Sequence, residues 1–164
     1  DLNNIPEEIK ILSPYDEYPS LVDRELVLQN SRVIIEYLDE RFPHPPLLPV
    51  DPISRAKFRL ALNEIEHSWY TKYAQAYNDE VLDDKFVTEI KTYFLEIAPL
   101  IKRKFFMSDD FGLVDCSIAP LLWRLKSLDF DLAENNKVIA DYSERIFERE
   151  AFQDSLTETE KELF

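Results

Sequence analysis

One glycine, Gly112, stands in a chain of 164 residues. Serial β-hairpins with tight turns and phosphate-cradling loops all draw on glycine's freedom at positive φ, so a many-turned β fold and a nucleotide-binding loop are both disfavoured. Long helices remain, with connections marked by the chain's ten prolines. With 45% hydrophobic and 13% aromatic residues, the chain has material for a packed core and is not a disordered acidic tail.

Charge narrows the partners. A formal net charge of −14 argues against direct binding to nucleic acid, which draws on Lys and Arg to release counterions, and points to basic or neutral partners. Eleven acidic residues face four basic ones over residues 1–52, so half of the excess sits in the first third of the chain. A single cysteine, Cys116, allows no internal disulfide and fits a reducing compartment. No apolar run approaches the roughly 20 residues that cross a bilayer, so the expected address is the cytoplasm, without membrane contact. The chain opens on Asp1 without the basic and apolar regions of a signal peptide, and is read as preceded by a further segment.

The periodic pattern changes at a proline-rich run. From Phe42 to Pro49 the sequence reads Phe-Pro-His-Pro-Pro-Leu-Leu-Pro. Prolines fix φ, remove amide donors and disfavour helix in the residues before them, so this backbone is stiff and extended. It is a hinge or a docking surface. Before it, Pro6 to Leu12 predicts a short helix, Ser20-Leu21-Val22 and Leu26-Val27-Leu28 predict two short strands, and Ser31 opens a helix. That helix carries a stripe of Val33, Ile34, Tyr37 and Leu38, with Ser31 or Asn30 as its cap and Pro43 as its end. Two strands do not make an independent core, so strands and a helix before Asp1 are expected to complete the sheet.

After the run, long helices follow. Asp51-Pro52 is a cap followed by proline, and Phe58, Leu62, Ile65, Trp69, Tyr73 and Ala76 recur at spacings of three or four up to about Tyr77. A second helix from Asp84 buries Phe86, Ile90, Phe94, Ile97 and Ile101, with Pro99 forcing a kink or an early end. Leu113 to Leu125 is apolar on nearly every face and reads as the central helix. Lys137 to Glu148 carries Val138, Tyr142 and Ile146, and Thr157 to Glu160 offers a capping box.

Three segments together resemble the glutathione transferase superfamily and, within it, the transcription-regulating branch of stringent starvation protein A. They are Tyr18-Pro19-Ser20-Leu21-Val22-Asp23, the block from Asn30 through Pro46, and Phe111 through Arg124. The first and third belong to the whole superfamily, and the proline-histidine-proline block is the specific one. The resemblance implies an α+β, mostly helical fold. A thioredoxin-like domain, here N-terminally incomplete and with a cis proline at Pro19, precedes an all-helical bundle. The expected division is residues 1–42, a proline-rich linker over 43–53, and the bundle over 54–164.

The resemblance implies two candidate sites. Its regulatory branch implies contact with RNA polymerase near the sigma factor through Pro43, His44, Pro45 and Pro46, without catalysis or cofactor, by a homodimer or a heterodimer with a related protein. The plain alternative for His44 is a solvated linker residue. Its catalytic branches imply glutathione binding at Tyr18, Pro19, Asn30 and Ser31. A cis proline would turn the Tyr18 backbone toward an extended ligand, and a helix start at Ser31 suits a carboxylate. The residue that activates the thiol in those relatives would precede Asp1, so the competing reading is a glutathione-dependent transferase or thiol reductase completed upstream.

Other residues carry no chemistry. His44 and His67 have no ligand at metal spacing, and Glu64, Glu66, Asp109 and Asp110 read as solvated helix faces. Cys116, Trp69 and Trp123 read as packing residues. The central helix lacks the serine or threonine cap usual in the superfamily and has Gly112 there, with Asp115 left to accept from the cap's amide.

Overall fold

The computed structural model describes residues 6–13, 18–78, 84–101, 103–127 and 130–162, and within it the chain divides into two compact units, Asp1–Leu47 and Leu48–Phe164. The fold is the expected mostly helical α+β arrangement. In the first unit, α1 (Glu7–Leu12) precedes β1 (Leu21–Asp23) and β2 (Leu26–Leu28), which pair antiparallel with Leu21 opposite Leu28. A two-residue turn joins the strands, and Arg24 takes φ 57° there, the conformation that glycine usually supplies. Helix α2 (Ser31–Arg41) follows.

The cap of α2 is Asn30, at φ 72°, whose Oδ1 accepts from the amides of Arg32 (3.1 Å) and Val33 (3.3 Å). Asparagine tolerates positive φ better than serine does, and this decides between the two expected caps. The apolar stripe expected on α2 is only partly buried: Ile34 is inside, whereas Val33 and Leu38 are exposed. The helix is rotated so that Asp39, 6% exposed, turns inward to bind a backbone amide.

The second unit begins with α3 (Pro52–Glu64), capped by Asp51, which accepts from the Ser54 amide at 2.8 Å. The helical run continues through a π-turn, Ile65–Tyr70, into α4 (Thr71–Asn78). Phe58, Leu62, Ile65, Trp69 and Tyr73 are all buried, as their spacing predicts, and the side chain of Ala76 lies outside what is described. In α5 (Asp84–Ile97) the five-residue stripe is buried through Ile101, and Pro99 is met by a turn of 3₁₀-helix, Ala98–Ile101.

Helix α6 (Leu113–Ser127) is the centre of the unit and packs on α3, on the π-turn and on α8 (Lys137–Phe147). Its Leu113, Val114, Ile118, Leu121, Leu122 and Leu125 are sealed from solvent. Asp115 organises its start: one carboxylate oxygen accepts from the Gly112 amide (2.7 Å), the other from the Phe106 amide (2.9 Å) and the Tyr142 hydroxyl (2.6 Å). The side-chain half of the usual cap is missing, yet the carboxylate half closes as the spacing predicts. Burial pushes the Asp115 carboxyl above its ordinary range, opposed by these same hydrogen bonds. Between α6 and α8 lies α7 (Leu132–Asn135), and α8 buries Ile139, Tyr142 and Ile146 while Val138 stays outside. Asn136 caps α8 through the Val138 and Ile139 amides and so sets that rotation.

Two short helices, α9 (Glu150–Ser155) and α10 (Glu158–Lys161), close the chain over Trp123. The capping box predicted at Thr157 and Glu160 is present. Among the described residues, no helix is long and apolar enough to cross a membrane, and no group of three or more metal-ligating side chains occurs.

Candidate functional site

The proline run leaves α2 abruptly. The Phe42 amide still reaches the Leu38 carbonyl (2.9 Å), but Phe42 has left the helical region at φ −129° and ψ 65°, and the His44 amide folds back on the Phe42 carbonyl (2.9 Å). Pro43, His44, Pro45 and Pro46 are all exposed, and the His44–Pro45 bond is cis, an isomer that no local pattern had indicated. Phe42 is 65% exposed, a large ring left in water beside the imidazole.

Each end of the exposed segment is held within the first unit. At its start, Arg41 lies 5.3 Å from the centroid of the Phe42 ring, and its Nε is 3.5 Å from Asp23 in the hairpin turn. The Tyr37 hydroxyl donates to the same Asp23 oxygen, and that bond pushes the pKa of the phenol above its ordinary value. At its far end, the Leu47 amide donates to the buried Asp39 Oδ1 at 2.6 Å. The run is therefore an exposed apolar and imidazole surface whose backbone is fixed by proline and by two anchors. A surface of this kind loses little conformational entropy on binding.

The glutathione-type residues have a different fate. Tyr18–Pro19 is cis, as the resemblance implies, and Pro19 is exposed while Tyr18 is half-buried. Ser31 is exposed at the first turn of α2. The amides of Arg32 and Val33, which would greet a carboxylate there, are already bound by Asn30. In the second unit Cys116, read as a packing residue, is partly exposed.

Comparison with known proteins now places the chain. The sequence profile of the glutathione S-transferase N-terminal domain matches residues 2–46, and that of the C-terminal domain matches residues 51–150. Solved structures agree on the fold. A rice glutathione transferase in complex with glutathione superposes with a TM-score of 0.85 at 21% identity, covering 99% of this chain and 79% of that one. An Omega-class transferase from Trametes versicolor gives 0.82 at 15% identity, covering 96% of this chain and 75% of that one. The chain is thus a member of the glutathione S-transferase-like class.

Nearer relatives define the branch. A stringent starvation protein A homolog from Haemophilus influenzae is 48% identical over 161 residues, which are 96% of this chain and 76% of the relative. Another from Coxiella burnetii is 46% identical, covering 99% of this chain and 79% of the relative. The chain belongs to the stringent starvation protein A family.

Proposed function

We propose that this chain is a cytoplasmic, non-enzymatic transcription regulator that acts as a homodimer, or as a heterodimer with a related protein, and binds RNA polymerase near its sigma factor. Pro43, His44, Pro45 and Pro46, with Phe42 beside them, form the contact. The observation that carries this reading is the exposure of the whole segment on a backbone anchored by Asp39 and by the Arg41–Asp23 pair. Family membership supports it, as does the charge. A chain at −14 is repelled by promoter DNA and steered toward basic protein surfaces, so its effect on transcription passes through protein contact.

Substituting His44→Ala together with Pro45→Ala tests the proposal. Both residues are exposed, so helical content and dimerisation stay unchanged, while polymerase capture in a pull-down falls about tenfold or more, the scale of losing an interface hot spot. Unchanged capture removes the proposal.

A second reading, a glutathione-dependent transferase or thiol reductase, is favoured by the exposed Ser31 hydroxyl at the start of α2. Calorimetry with glutathione separates the two, since micromolar binding together with turnover of an electrophile belongs only to the enzyme.

A further inference from the structure

The second unit carries a cleft that polymerase recognition does not use. It opens between the α3–α4 run and the facing α5, and has a volume of about 230 Å³. The run is not regular α-helix here: Ile65–Tyr70 is wound as a π-turn, a device frequent at functional sites. Ser68 and Trp69 reach the cleft from that turn.

Its walls divide by chemistry. Trp69, Phe86 and Ile90 are buried and form an apolar floor, with the Tyr93 ring edge-on to Trp69 at a centroid distance of 3.6 Å. On the rim, Lys72 Nζ lies 3.1 Å from Glu89, so these two charges compensate each other. Two more carboxylates, Glu64 and Glu96, line the same space. Glu64 accepts only from the Ser68 hydroxyl, and Glu96 has no hydrogen bond or ion pair among the described residues. The Tyr93 hydroxyl likewise has no hydrogen bond among them. Burial pushes the pKa of this phenol up, and the charges of Glu64 and Glu96, which line the cleft with it, push it further. An anion is excluded by that field. An inorganic cation would waste the apolar floor.

We propose that this cleft binds a small aliphatic diamine in its protonated form, its ammonium groups paired with Glu64 and Glu96 and its methylenes laid against Tyr93 and the apolar floor. Charge-assisted hydrogen bonds and the face of the Tyr93 ring supply the attraction. A monoamine would leave one carboxylate uncompensated, so the diamine binds more tightly.

Calorimetry at fixed ionic strength tests this with cadaverine as the probe. The unaltered chain shows one saturating site, the Glu64→Gln/Glu96→Gln variant binds about tenfold more weakly or less, and neutral pentanediol gives no heat. Glu25→Gln/Glu40→Gln makes the same change in net charge at exposed positions of the first unit and leaves binding unaltered. Equal losses in the two double variants would reduce the effect to attraction by the chain's overall acidity and overturn the proposal. Absence of a saturating site, or equal binding of pentanediol, overturns it as well. Should the double variant lose its circular dichroism signal, the single Glu96→Gln, at an exposed position, decides by the same criterion.

Discussion

Two buried aspartates, one in each unit, bind backbone amides and do opposite things. Asp115 sits where everything around it is also buried, and its two oxygens collect the Gly112 amide, the Phe106 amide and the Tyr142 hydroxyl into one closed knot. Asp39 is nearly as deep, but the amide that it holds belongs to Leu47, at the foot of an exposed segment. A carboxylate enclosed by its donors fixes the core. A carboxylate that reaches from the interior to a loop fixes a surface, and so carries the stability of the interior out to the exposed run.

The largest effect separates the two. Asp115→Ala strands two amides and a phenol inside the second unit, and each stranded buried group costs about 1–3 kcal/mol, so the expected loss is about 4 kcal/mol after partial relaxation. Urea denaturation measures it as a lowered midpoint. A loss below about 1 kcal/mol would mean that the knot is dispensable, and the contrast with Asp39 would collapse.

How much of this was legible depends on the distance along the chain. Asp115 stands three residues beyond Gly112, so the cap closure can be read locally, as can the stripe from Phe86 to Ile101 and the capping box at Thr157. Tyr142 lies 27 residues from Asp115, and no local pattern joins them. The π-turn also hides, because apolar residues at spacings of three and four suit an α-helix and a widened turn alike. At the candidate site, the four prolines announce a stiff segment, but neither its exposure nor the inward turn of Asp39 is local. An aspartate between Leu38 and Glu40 reads as a solvated residue, and only the folded unit brings the Leu47 amide to it. The stripe expected on α2 is only half met for the same reason, with Ile34 inside and Val33 and Leu38 outside.

Asp39→Ala sharpens the comparison from the other side. The hydrogen bond to the Leu47 amide, of a kind worth about 1.5–3 kcal/mol, is removed, and its donor lies at a half-buried position that solvent can partly serve, so the loss of that bond stays at the low end. The local consequence is larger: the Leu47 amide loses its protection in hydrogen exchange, and capture of polymerase weakens although His44 and its prolines are untouched. If the amide stays protected while capture falls, Asp39 acts through something other than anchoring the run.

The smallest effect concerns a carboxylate near the surface. Glu160 closes the capping box of α10 and pairs with Arg124 at 2.8 Å, and its pKa is lowered from 4.5, chiefly by the Thr157 amide. A carboxyl whose folded value lies below its unfolded one contributes stability that is complete above 4.5 and disappears as pH falls through the folded value. The gap in unfolding free energy between the unaltered chain and Glu160→Gln therefore closes on acidification from neutral pH. Asp115 has the opposite sign, because burial raises its pKa: its ionisation costs stability as pH rises from 3.8 through the folded value. Comparing the acid limbs of Glu160→Gln and Asp115→Asn thus sets a surface carboxylate against an enclosed one, and limbs that deviate in the same direction would refute the distinction between them.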